Sequence, residues 1–149
     1  MNRIDPQQAA RVWQRVRAGD RLSDRELQAM ISQAWTRAAT YLKLSRQLQG
    51  KDSAALRQLY GEQQAHAACL KGMYTLITGT QPTVKALPET GQDPAAILRR
   101  LYGKSMQALA DYEAKTADPE YGPVFARLAE REKDHCRAVL ELIGNLKNR

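Results

Sequence analysis

Two stretches of this chain keep the same rhythm. Leu56, Leu59, Gln63, His66, Leu70, Met73 and Ile77 recur at alternating steps of three and four, and so do Phe125, Leu128, Glu132, His135, Val139, Leu142 and Leu146. Such steps gather side chains on one face of an α-helix, so each series marks a stripe that a helix should bury. Polar residues interrupt both stripes at the same place. Leu59 and Leu128, Gln63 and Glu132, His66 and His135, and Leu70 and Val139 each stand 69 residues apart. A second pair of helical stretches repeats at 71 residues, matching Ala34 with Ser105, Ala38 with Leu109 and Tyr41 with Tyr112. The chain reads as one helical hairpin used twice, an internal repeat that sets which polar residues share a level.

Helix-start signals divide the chain. Asp5-Pro6 predicts a short amphipathic helix ending near Gly19, and residues 1–22 are read as an N-terminal helix packing on the bundle or on a partner. "SDRE", Ser23 to Glu26, is a capping box ahead of a run to about Leu48. After a "GKD" turn at 50–52, Asp52 or Ser53 caps a helix to about Ile77. Asp93-Pro94 opens the next, to about Lys115, and Asp118-Pro119 opens the last, with Gly122-Pro123 in its first turn. No stretch sustains strand alternation. The expected fold class is all-α, with residues 23–149 as a four-helix bundle.

Connection lengths then choose the topology. The two short links force antiparallel hairpins. The Pro- and Gly-rich segment 78–93 could extend to roughly 50 Å, more than the roughly 38 Å length of a helix of about 25 residues. It can therefore run the length of the bundle and start the third core helix parallel to the second. Two hairpins joined by one long crossover is the ferritin-like arrangement.

Composition excludes several functions. With 149 residues and 43% hydrophobic content the chain can bury one core. No apolar run is long enough for a membrane span, and no N-terminal segment has the pattern of a signal peptide. Two cysteines, Cys69 and Cys136, are too few for a disulfide scaffold, so a cytoplasmic setting is expected. The net charge of +7 is concentrated in residues 1–60, where 11 Lys and Arg face 5 Asp and Glu. These basic residues are spaced singly and match no reading motif, so they predict a solvated basic face and no nucleic-acid partner. There is no phosphate-cradling glycine loop and no nucleophile elbow.

Equal helical distances from the two hairpin turns place Ala34, Gln63, His66, Ser105, Glu132 and His135 near one level of the core. None of the six is a large apolar residue. At this point the chain resembles a rubrerythrin-type member of the ferritin-like superfamily, over roughly residues 24–146. The resemblance implies a dinuclear iron site, with a Glu-x-x-His pair from two helices and a Glu from each of the other two. "EREKDH" keeps one pair as Glu132 and His135; "EQQAH" keeps His66 but has Gln63 in place of the glutamate. Ala34 and Ser105, each seven residues before a tyrosine, hold the remaining carboxylate positions. No C-terminal cysteine pairs of the rubredoxin kind accompany the bundle.

A dinuclear centre needs several carboxylates to balance and bridge its metals, and here only Glu132 is in place. The expectation is an eroded site that binds one transition-metal ion through His66, Glu132 and His135, with Gln63 offering its amide oxygen or bonding a bound water. Iron is the expected metal, manganese or zinc the alternatives, and peroxide or oxygen chemistry the activity it would support. The other reading is a metal-free polar core in a non-catalytic structural or interaction protein, with these side chains satisfying one another. Glu62 points to the helix flank and would have to turn inward, while Glu113 is too far along its helix. Cys69 and Cys136 read as apolar filler, with thiolate ligation as the other option. Tyr41 and Tyr112 read as core packing, although the resemblance also implies hydrogen bonds to ligands. It implies a homodimer paired through flat bundle faces as well.

Overall fold

The computed structural model describes Pro6, Gln7 and residues 22–148. The N-terminal helix expected over residues 1–22 lies almost wholly outside the described residues. Four helices make up the rest: α1 (Asp24–Gln47), α2 (Gly50–Thr78), α3 (Pro94–Glu113) and α4 (Gly122–Lys147), with no strand among the described residues.

Local chemistry accounts for most helix ends. Ser23 Oγ accepts from the Glu26 amide at 3.0 Å and the Glu26 carboxylate accepts from the Ser23 amide at 3.4 Å, closing the capping box. Asp93 caps α3 by accepting from the Ala95 amide at 3.2 Å, with Pro94 at the first helical position. Gly79 ends α2 at a φ of 74°, where a side chain would be strained.

Two starts differ from expectation. α2 begins at Gly50, ahead of Asp52 and Ser53, because Gly50 turns the chain at a φ of 62°. α4 begins at Gly122, four residues beyond Asp118. The Asp118 carboxylate instead accepts from the amides of Glu120 and Tyr121 at 2.9 and 2.8 Å, closing a turn that delays the helix. Gly122 packs directly on the Thr116 carbonyl, where a β-carbon would collide.

α1 pairs with α2 and α3 with α4, while α1 also touches α3 and α2 touches α4; the diagonal pairs stay apart. The connection 79–93 lies against α1. Gln28 bonds the Thr83 backbone, then the Glu89 amide donates to Thr40 Oγ1 at 2.9 Å, and Lys43 Nζ donates to the carbonyls of Glu89 and Gly91 at 2.7 and 3.0 Å. In chain order these contacts climb α1 from its first turns towards its last. No described helix is long and apolar enough to cross a membrane.

The core has two apolar clusters. One gathers Leu27, Ile31, Leu70, Met73 and Phe125; the other gathers Leu44, Leu56, Leu101, Val139 and Leu142. Burying each such side chain contributes about 1.5–3 kcal/mol. Between the clusters lies a polar layer of Arg37, Gln63, His66, Ser105, Glu132 and His135, all buried.

Candidate functional site

Each helix contributes to this layer. α1 supplies Arg37 and Tyr41, α2 supplies Gln63 and His66, α3 supplies Ser105 and Tyr112, and α4 supplies Glu132 and His135. The pairs from α2 and α4 are three residues apart, so a single helical turn delivers both side chains to the interior.

Glu132 is the hub. Gln63 Nε2 donates to its two carboxylate oxygens at 3.1 and 3.0 Å. Arg37 Nε stands 3.6 Å from Oε1, and the Nδ1 atoms of His66 and His135 stand 3.3 and 3.4 Å from Oε2. The two imidazoles stack, with centroids 4.9 Å apart and planes 19° from parallel. Arg37 Nη2 donates to Tyr112 Oη at 3.3 Å and to Gln63 Oε1 at 3.5 Å. That second contact orients the amide: its oxygen accepts from Arg37, so its nitrogen faces Glu132 and His135.

The charges follow from these contacts. Burial alone would raise the Glu132 pKa, but the imidazoles of His135 and His66 beside it and the charge of Arg37 outweigh it and hold the carboxyl well below the ordinary range. Burial works against the charged form of Arg37, and Glu132, with smaller contributions from the two tyrosines, more than offsets it, so the guanidinium is held even more firmly protonated. Burial pushes Tyr112 up to about 12 against the opposing charge of Arg37, and raises Tyr41 as well. Ser105 lies near enough to Tyr41 to ease that shift, although neither hydroxyl makes a well-formed hydrogen bond.

Hydrogen-bonding capacity is left over in the same layer. Among the described residues, six buried side-chain atoms make no hydrogen bond, and five are here: Tyr41 Oη, Ser105 Oγ, both ring nitrogens of His66, and Arg37 Nε, the last and His66 Nδ1 facing Glu132 at 3.6 and 3.3 Å. A buried group of this kind costs about 1–3 kcal/mol unless something completes it, so such atoms point to a bound water or ion.

His66, Glu132 and His135 each offer a donor atom, all within 4.8 Å of one another. Donors around a tetrahedral centre with bonds of about 2.0–2.1 Å stand about 3.4 Å apart, and the two carboxylate–imidazole distances are 3.3 and 3.4 Å. The donor set could hold one metal ion. It does not fit two, because Arg37 places a fixed positive charge beside the only carboxylate in the buried layer.

All four ligand residues expected from the sequence come together, but Gln63 turns its amide nitrogen towards Glu132, and a metal would need the oxygen. Ala34 and Ser105 are buried at this level as expected. Tyr41 and Tyr112 both reach the polar layer. Glu62 reaches His135 from the flank, with Oε2 2.8 Å from Nε2. Glu113 stays outside and lies 3.9 Å from Lys133. Neither cysteine joins the donor group: Cys69 is exposed, and Cys136 is buried with its thiol pushed up to about 11 by burial and the charge of Glu132, Arg37 opposing.

The sequence reading missed Arg37, which is 2% exposed. Its signal was present, since Arg37 lies three residues after Ala34 and four before Tyr41, on the inward stripe of α1. A surface groove of about 310 Å³ between α1 and α3, walled by Ser32, Gln33, Thr36, Lys104 and Gln107, has Arg37 in its lining. No family model, curated protein or solved structure matches this chain.

Proposed function

We propose that this chain is a ferritin-like bundle of the rubrerythrin type whose buried dinuclear position has been reduced to a site for one divalent transition-metal ion. His66, Glu132 and His135 would hold it. The observation that carries this reading is His66, a buried imidazole neither of whose nitrogens makes a hydrogen bond, with Nδ1 3.3 Å from a carboxylate that His135 shares. The ferritin-like topology is supported by the two hairpins, by the diagonal placement of α2 and α3, and by the course of segment 79–93 along α1, as a crossover requires. Two free thiols fit the reducing cytoplasm.

Iron is the metal this reading favours, with manganese or zinc as alternatives; iron would supply one-electron chemistry towards peroxide or oxygen. The protein's own part is to keep Glu132 anionic, to stack the two imidazoles on one side of it, and to shut most water out of the layer. Gln63 has to yield its contacts with Glu132 and with His135 Nδ1 when a cation arrives.

Arg37 favours a second reading. It already neutralises Glu132, so the layer is charge-balanced with no metal, as in a non-catalytic bundle that works through its surface. Elemental analysis of protein purified without a histidine tag separates the two. About one equivalent of metal per chain, lost in His135→Ala, supports the metal site. No metal, even after anaerobic reconstitution with ferrous iron, leaves the second reading.

A further inference from the structure

Glu62 and Gln63 are neighbours in the chain, yet they grip opposite nitrogens of one imidazole. Gln63 Nε2 lies 3.0 Å from His135 Nδ1, and Glu62 Oε2 lies 2.8 Å from His135 Nε2. An ionised carboxylate only accepts hydrogen bonds, so Nε2 must carry a proton. The Gln63 oxygen is turned to Arg37, so its NH2 group donates and Nδ1 must accept. Both contacts select the same neutral tautomer, with the proton on Nε2 and the lone pair on Nδ1. That lone pair belongs to the nitrogen 3.4 Å from Glu132 Oε2, on the side where His66 also stands.

We propose that Glu62 is a positioning residue: from the protein surface it fixes His135 as the Nε2–H tautomer and thereby presents Nδ1 to the cation. The role rests on the single-ion reading above. Glu62 suits it because it is anchored without being buried. Its side chain is 45% exposed, and its other oxygen accepts from Gln58 Nε2 at 3.4 Å. The Gln58 contact aims the carboxylate across the gap between α2 and α4. Carboxylates that hold the far nitrogen of a metal-bound histidine have this effect elsewhere, and losing one weakens metal binding about 10- to 100-fold. The position is separate from the buried charge pair, so substituting it leaves the core packing intact.

The chain has only two histidines, which makes the tautomer directly readable. Long-range proton–nitrogen correlation spectra of 15N-histidine-labelled protein give each ring nitrogen's protonation state, and the signals lost in His66→Gln assign the other ring to His135. The expected result is a protonated Nε2 and bare Nδ1 on His135 in the parent protein and in Glu62→Gln, which keeps an acceptor oxygen. In Glu62→Leu, which has none, His135 should become a tautomer mixture. Zinc(II) titration should show affinity about 10- to 100-fold weaker for Glu62→Leu and close to the parent for Glu62→Gln. An unchanged His135 tautomer in Glu62→Leu, or unchanged zinc affinity there, overturns the proposal. A parent protein that binds no zinc, iron or manganese overturns the single-ion reading instead, and the tautomer spectra still report whether Glu62 controls His135.

Discussion

Arg37→Met should destabilise this protein more than most single substitutions, and the reason lies in one distance. Arg37 Nε is 3.6 Å from Glu132 Oε1, with both side chains out of water. At an effective dielectric constant of about 20, unit charges at that separation attract by roughly 5 kcal/mol. Methionine fills much of the arginine stem but brings no charge, so Glu132 would be left buried without its guanidinium partner. Breaking a buried pair from one side costs about 3–5 kcal/mol, a large share of the roughly 5–15 kcal/mol that holds a domain folded. Urea unfolding at pH 7 measures it: with a slope of about 2 kcal/mol per molar, the midpoint should fall by roughly 2 M. Glu132→Gln should cost a similar amount, because it strands the guanidinium instead. The double variant Arg37→Met/Glu132→Gln removes both charges and should recover most of the loss. The singles and the double together form a cycle whose coupling should be at least about 2 kcal/mol. A double variant as unstable as the sum of the singles, or an Arg37→Met loss under about 1 kcal/mol, would refute the claim that this pair organises the polar layer.

Other consequences can be checked separately. The Glu132 carboxyl is held below its ordinary range in the folded protein, so its stabilising contribution is complete above the unfolded carboxyl value of about 4.3 and is lost as pH falls through the folded value. The stability gap between the parent and Glu132→Gln should therefore stay flat from pH 7 to about 5 and shrink on further acidification; a gap that widens in acid would contradict the assignment. Gly122→Ala should cost about 1–3 kcal/mol, because the added methyl meets the Thr116 carbonyl at the start of α4 and the backbone there has to shift. Thermal unfolding reads this directly, and an unchanged melting temperature would mean that the turn at 116–122 gives way to the methyl at no cost.

How much of this was legible beforehand depends on how far each feature reaches along the chain. The helices were readable because caps and stripes are local: "SDRE" and Asp93-Pro94 act within one turn, and a period of three and four residues needs no partner to be seen. His66, Glu132 and His135 were readable for the same reason, since a three-residue spacing determines which face of a helix they share. The start of α4 was not, because it depends on the turn Asp118 closes and on how closely Gly122 approaches Thr116. Arg37 was only half legible: its spacing places it at the edge of the inward stripe but does not say which way its side chain turns. Whether a long cation on the edge of a stripe snorkels outwards or folds inwards depends on the room across the bundle, and here Ala34, Ala38 and Ser105 are small and a single carboxylate waits on α4. The orientation of the Gln63 amide depends in turn on Arg37, and the contact of Glu62 with His135 depends on the spacing of α2 and α4. The sequence by itself determined that Gln63, His66, Glu132 and His135 meet at this level; the tertiary structure alone decided that Arg37 and Glu62 join them and which atoms they turn to one another, because that choice belongs to side chains 26 to 75 residues apart.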